Sequence, residues 1–312
     1  MVHIFHHGPT GHRSLDMAQT RPISRGGAQG KSLQESSAVL TLPEVDKVRI
    51  GGVSVARLDI EQTARLMLDL ALGPAREAGP FYLTSANGEL LARRFLDAEF
   101  ALLVDRADLI SADGQPLVLA SRLFANARLP ERVASTDLFP AVACGAERRG
   151  VSFYLLGATE AINRAACDAL QRDYPGLDLR GASHGYLAGQ ALDRKVDEIN
   201  RLSPHILWLA LGVPLEQQFV DRYASRLSNI RVIKTAGGLF DFVSGAKPRA
   251  PAWMQHSGLE WAFRLGLEPR RLLRRYLTTN PIAAFLLLTQ TGRTTHEAAG
   301  RSPAPPGLKS SS

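Results

Sequence analysis

The sequence predicts an α/β protein built on a doubly wound, mostly parallel sheet and completed by a basic, helical C-terminal appendage. Short apolar runs alternate with helical segments of roughly 10–15 residues, the pattern of consecutive βαβ units. Polar or glycine-rich clusters follow the runs directly, at Thr84-Ser85-Ala86-Asn87, Ala112-Asp113-Gly114, Gly157-Ala158-Thr159, Gly212-Val213-Pro214 and Ala236-Gly237-Gly238. A Rossmann-like sheet binds its ligands there, outside the carboxyl ends of the strands. Between Lys247 and Arg293, eight Lys and Arg face only Glu260 and Glu268, so this stretch holds nearly all of the net charge of +7.

In chain order, Val48–Val55 reads as a hairpin around Gly51-Gly52, and Ile60–Leu72 has apolar residues at helical spacing. A strand is expected at Phe81–Thr84, a helix over Glu89–Phe100, and a strand at Leu109–Ile110. Leu117–Phe124 and Asp137–Arg148 read as helices. Val151–Gly157 and Ile206–Gly212 are buried strands, with a third at Leu177–Ala182. Helices are expected over Ala161–Tyr174, Asp193–Leu202 and Glu216–Leu227, and Val232–Thr235 is the last strand. The catalytic α/β domain is thus expected over 47–246 and the appendage over 247–292. Residues 1–46 and 293–312 lack apolar periodicity and are expected to be disordered.

Composition excludes several classes. Hydrophobic residues at 45% permit a buried core, while Cys144 and Cys167 have neither disulfide-framework nor zinc spacing. They read as buried small apolar residues. His3, His6, His7 and His12 lack partners at metal-ligand spacing. No secretory signal is visible, and the longest late apolar run, Ile282–Leu288, falls far short of the ~20 residues that span a bilayer. A soluble or peripheral protein is expected.

Asp113, at a strand end before Gly114, is the first candidate for chemistry: a turn or helix cap explains it, and so does a general base. Asn87, with Thr84 and Ser85, is a cap or a set of sugar-hydroxyl ligands. Gly157, Gly237 and Gly238 are tight turns, or backbone that approaches a phosphate at a helix N-terminus. No GxGxxG occurs, which counts against a nucleotide-linked dehydrogenase or epimerase, and no Asp-x-Asp occurs to hold a metal. No metal site and no cofactor are expected, so a departing diphosphate would be stabilised by arginines and helix N-termini. Arg264, Arg271 and Arg274, seven and then three residues apart, would share one face of a continuous helix. Interleaved with Trp253, Trp261, Phe263, Leu272 and Leu273, they suit an anionic membrane surface or a diphosphate. A non-catalytic lipid-binding or nucleic-acid-binding protein would show the same charge.

From about Val48 to Tyr276 the chain resembles the WecG/TagA/CpsF glycosyltransferases. The matching segments are TSANGELL, ISADGQPLVLAS, LPERVASTDL, FYLLGATE with RGASHGYL, LGVPLEQQF, and above all TAGGLFDFVSGAKPRAPAWMQHSGLEWAFRLGLEPRRLLRRY. The resemblance implies metal-independent, inverting transfer from a UDP-sugar to an undecaprenyl-diphosphate-linked saccharide, at the cytoplasmic face of the membrane. N-acetylmannosamine is the donor sugar favoured, with its uronic acid and glucose as the alternatives the resemblance implies. It also implies that Asp113 is the base and that Ser85 and Asn87 match a T-x-N segment, leaving the role of Thr84 open. Arg132, with Asp137 in the same segment, is implied to lie near substrate. Arg264, Arg271 and Arg274 are implied to complete the site from a membrane-docking appendage. Nucleic acid is not an implied partner; a homo-oligomer is compatible. One departure stands out: the family's G-x-P-x-Q-E is here Gly212-Val213-Pro214-Leu215-Glu216-Gln217, a carboxylate where a glutamine is usual.

Overall fold

The computed structural model describes residues 42–292. The four N-terminal histidines, Arg293 and the expectations of disorder for 1–41 and 293–312 lie outside the described residues. The Gly51-Gly52 hairpin forms, β1 (Lys47–Ile50) pairing antiparallel with β2 (Val53–Ala56). Helix α1 (Ile60–Leu72) starts at a capping box: the Asp59 carboxylate accepts from the Gln62 N–H, and the Gln62 side chain accepts from the Asp59 N–H.

Six strands make the main sheet: β3 (Phe81–Ala86), β4 (Leu109–Ala112), β5 (Phe153–Gly157), β6 (Leu179–Ser183), β7 (Ile206–Ala210) and β8 (Val232–Thr235). Their spatial order is β4-β3-β8-β7-β5-β6, and every pairing is parallel. The carboxyl ends of all six therefore lie along one edge. Strands β5, β7 and β8 are buried throughout, as expected where helices cover both faces of a parallel sheet. Trp208 of β7 meets Phe139 edge to face at 4.8 Å between centroids, in the larger of the hydrophobic clusters.

The helices between strands are α4 (Gln115–Phe124), α5 (Ser135–Arg149), α6 (Glu160–Asp173), α7 (Gly189–Leu202) and α8 (Leu215–Tyr223). Two expectations need correction here. The helix expected over Glu89–Phe100 is two, α2 (Gly88–Leu96) and α3 (Ala98–Asp105), because Asp97 leaves helical geometry and caps the second through its side chain. The helix expected to reach Leu227 ends at Tyr223 in a tighter turn over Ala224–Arg226.

After β8 come α9 (Leu239–Val243), α10 (Ala252–His256), α11 (Glu260–Leu267) and α12 (Pro269–Thr289). The continuous helix on which Arg264, Arg271 and Arg274 would share a face does not form. Glu268 is non-helical, with φ −134° and ψ 59°, and Pro269 begins a new helix at its first position. The far half of α12 packs into the molecule: Leu286 and Leu287 share a core cluster with Val48, Ile50, Val53 and Val55 of the hairpin. The Gly52 N–H donates to the Gln290 carbonyl at 3.0 Å, and the Gly292 N–H donates to the Arg49 carbonyl at 3.1 Å. Among the described residues no helix is long and apolar enough to cross a membrane.

Gly157 ends β5 with φ +146°, and a Cβ there would lie 2.2 Å from the Ala210 carbonyl oxygen at the end of β7. Backbone against backbone cannot yield as a side chain can. Gly157→Ala is expected to lower stability by about 2–4 kcal/mol, read from urea denaturation.

Candidate active site

Two adjoining cavities open at the carboxyl edge of the sheet, and Asp113 stands in the wall of both. One, of ≈ 440 Å³, is floored by Thr84, Ser85, Glu216, Gly237 and Gly238 and walled by Arg264, Arg271 and Arg275. The other, of ≈ 380 Å³, lies between Asp113 and the appendage, whose Trp261, Tyr276, Ala283 and Leu287 line it. Asn87, Glu89, Glu260, Arg264 and Arg275 also belong to both.

Asp113 is held at the end of β4 by its own N–H, which donates to the Ala86 carbonyl of β3 at 2.9 Å. Part of its surface opens on the cavities while protein surrounds the rest. Burial pushes its carboxyl above the usual range, against the pull of Arg264, Arg132 and Lys234, and Glu260 adds to the rise. A carboxylate made more basic in this way, facing a cavity, is suited to removing a proton.

Beside it, Asn87 caps α2, its Oδ1 accepting from the Leu90 N–H at 3.1 Å, and also faces both cavities. Thr84 is buried and accepts from the Thr235 hydroxyl at 2.8 Å. Ser85 accepts from the Lys234 Nζ at 2.7 Å. The Glu216 carboxylate is also buried, and its Oε1 accepts from the Ala236 and Gly237 N–H groups at 3.2 and 2.7 Å. It holds the turn after β8, in which Gly237 takes φ +57°. Burial pushes Glu216 up to about 7, opposed by those two N–H groups and by Lys234. Lys234 is fully buried; burial pushes its ammonium down to about 8, against the attraction of Asp113 and Glu216.

Arg132 reaches the site because the following residue is tied to β4, the Val133 N–H donating to the Ala112 carbonyl at 2.7 Å. Its guanidinium donates to Glu260 at 2.5 Å, to Asp137 at 3.0 Å and to Gln255 at 3.3 Å. Burial works against its charge, and the hydrogen bond to Glu260 together with the attraction of Glu260, Asp113 and Asp137 more than offsets this. Arg249 donates to the other Asp137 oxygen at 2.6 Å. Arg132 and Asp137 therefore spend their polar contacts on docking the appendage.

The structure brings most of the expected residues together, with three corrections. Asp137 lines neither cavity, its carboxylate being taken up by Arg132 and Arg249, whereas Arg132 does line the second. Gly157 lines neither cavity; its conformation is required by the close approach of Ala210. Arg274 is exposed and lines neither cavity, because α12 starts afresh at Pro269, which turns position 275 inward and leaves the exposed Arg271 on the rim of the polar cavity. Arg275 takes the inward place, its Nη1 bonded to Glu89 at 2.8 Å. Arg264 lies over the Phe242 ring at 4.8 Å, and Arg271 pairs with Glu268. Sequence reasoning missed Arg275, Lys234 and Glu260. A lysine inside the apolar run Val232–Thr235 was a signal for one of them. One of only two acids in a basic stretch was a signal for another.

A model of the "Glycosyl transferase WecG/TagA/CpsF family" matches residues 48–297. A Bacillus subtilis strain 168 protein named N-acetylglucosaminyldiphosphoundecaprenol N-acetyl-beta-D-mannosaminyltransferase is 31% identical over 192 residues, 62% of this chain and 73% of the relative. A Bacillus spizizenii protein of the same name is 30% identical over 66% of this chain and 78% of the relative. A Staphylococcus aureus strain MRSA252 protein, also of that name, is 26% identical over 62% and 74%.

Glu216 supplies a test of the site's electrostatics. Its folded-state value, about 7, lies above the ordinary 4.5, so its contribution to stability is fully present below about pH 4.5 and is lost as the pH rises through about 7. Glu216→Gln keeps an oxygen for both turn N–H groups and cannot ionise. Its melting temperature is expected to gain on that of the unmodified protein between about pH 5 and pH 8, in parallel thermal melts.

Proposed function

The chain belongs to the WecG/TagA/CpsF glycosyltransferase family, and from that premise we propose that it moves a sugar from a UDP-sugar to a polyprenyl-diphosphate-linked saccharide at the inner face of the plasma membrane. The observation that carries the proposal is the place of Asp113 in the wall common to two cavities, one of which is also lined by three arginines. The donor occupies the polar cavity, its diphosphate among Arg264, Arg271 and Arg275. The acceptor occupies the second, where Trp261, Ala283 and Leu287 offer apolar surface.

Asp113 takes the proton of the acceptor hydroxyl as that oxygen attacks the anomeric carbon from the face opposite UDP. The bond from the anomeric carbon to the β-phosphate oxygen breaks, and its electron pair leaves with UDP, inverting the centre. Negative charge grows on the diphosphate during this step, so guanidinium groups aimed at it act chiefly in the transition state. They provide the charge compensation in the proposed metal-independent reaction. The relatives' names support an N-acetylmannosamine-type donor and a GlcNAc-diphosphoundecaprenol acceptor. Exposed Trp253, Leu273, Leu277 and Phe285, with exposed Arg270 and Arg274, support docking on an anionic bilayer.

A panel of UDP-sugars offered with a synthetic polyprenyl-diphosphate-GlcNAc, scored by product mass, tests the reading; no product with any donor would overturn it. Asp113→Asn is expected to cut turnover by about 10²–10⁴ while UDP still binds. Wild-type turnover in that variant would remove Asp113 as base. The base must be ionised, so turnover rises with pH through Asp113's raised value. Arg264 pulls that value down, so Arg264→Met is expected to shift the acidic limb of the pH–rate profile to higher pH.

A further inference from the structure

Lys234 lies in the interior of the sheet, beside Leu83 of β3 and Trp208 of β7, where a Val or Ile would satisfy the fold without taking an ammonium out of water. Residues two apart on a strand share a face, so Leu83 and Ser85 lie on the side of β3 along which the lysine runs. Its Nζ ends at the Ser85 Oγ, 2.7 Å away, and at the Thr235 carbonyl, 2.9 Å away. Asp113 and Glu216 supply the opposing charge.

The direction of the Ser85 bond is settled by chemistry. An ammonium has only protons to give, and a hydroxyl has one proton and two lone pairs. Ser85 must therefore accept from Lys234, and its own proton has to point elsewhere. Ser85 lines the polar cavity, in which Arg264, Arg271 and Arg275 also stand.

We propose that Lys234 is a positioning residue which commits Ser85 to donate its hydroxyl proton into the polar cavity, to a diphosphate oxygen of the nucleotide-sugar. The assignment rests on the transferase reading, from which its test can be separated. Lys234 itself is sealed from the cavity and acts only through Ser85. Without the ammonium, the hydroxyl is free to turn its proton to a protein acceptor, and the cavity loses a donor beside the arginines.

The experiment is calorimetric titration of the full chain with UDP. Lys234→Met and Ser85→Ala are each expected to weaken UDP binding by roughly tenfold, and the double variant by no more than either alone. Separate, additive contributions would instead multiply the two losses. Wild-type affinity in Lys234→Met, or multiplied losses in the double variant, would overturn the proposal. Thermal melts check that Lys234→Met is folded; should it not fold, wild-type affinity in Ser85→Ala overturns the proposal on its own. An unmodified chain that fails to bind UDP would overturn the transferase reading and this inference with it. Normal binding in the unmodified chain and in Lys234→Met would sink the inference alone.

Discussion

Arg132 donates to Glu260 at 2.5 Å and to Asp137 at 3.0 Å, while Arg249 holds the other oxygen of Asp137 from the appendage side. This short chain of alternating charges is the seam along which residues after β8 are laid against the sheet. Its importance comes from division of labour: Asp113 belongs to the sheet, whereas Arg264, Arg271 and Arg275 belong to α11 and α12. Neither half has both a base and a cluster of cations. Ion pairs on an open surface contribute little, but the Arg132 side chain is only 12% exposed. Removing one partner here would leave the others charged and poorly solvated. The seam therefore determines whether a site exists.

A second constraint follows from collecting charge under the cavities. Asp113, Glu216 and Lys234 are three ionisable groups drawn out of water at neighbouring strand ends, and each moves towards its neutral form as burial demands. They are tolerated because each answers another. Lys234 attracts both carboxylates, and Glu216 spends one oxygen on the Gly237 N–H and on the Ala236 N–H, which it shares with the Leu209 carbonyl. The turn over Ala236–Gly237 is thus shaped by a carboxylate, at the position where the resemblance to the family implies a glutamine.

Much of this was legible in the sequence, for physical reasons that differ by element. Ile60–Leu72 and Val232–Thr235 match their observed bounds, the first because its apolar spacing begins at a strong cap, the second because it is a short apolar run before a glycine pair. Asp113 was legible because a parallel sheet places its ligands after strands. Arg274 and Arg275 were not separable, because their order of facing depends on where α12 begins, and the phase of a helix is set by its start. Pro269 was the available signal. Gly157 misled because a glycine demanded by a neighbouring carbonyl and one demanded by a phosphate look alike in a sequence. Lys234 was passed over because one charged residue in a four-residue strand does not disturb the apolar pattern.

The appendage is fixed at both ends, and this bears on how the molecule meets a bilayer. At one end Arg132 and Arg249 bind it to the sheet; at the other, Gly52 and Gly292 share backbone hydrogen bonds with Gln290 and Arg49. Between these points α12 carries Leu286 and Leu287 inward and Leu277, Phe285 and Leu288 outward. A helix apolar on two sides and anchored at two points cannot satisfy its outer side by rolling over. That outer side has to be covered by something else, and its neighbours Arg270 and Arg274 favour an anionic cover. On the proposed reading, the bilayer provides that cover. The two arginines that miss the cavities, Arg270 and Arg274, are then the ones placed for lipid head groups, so one helix divides its cations between substrate and membrane.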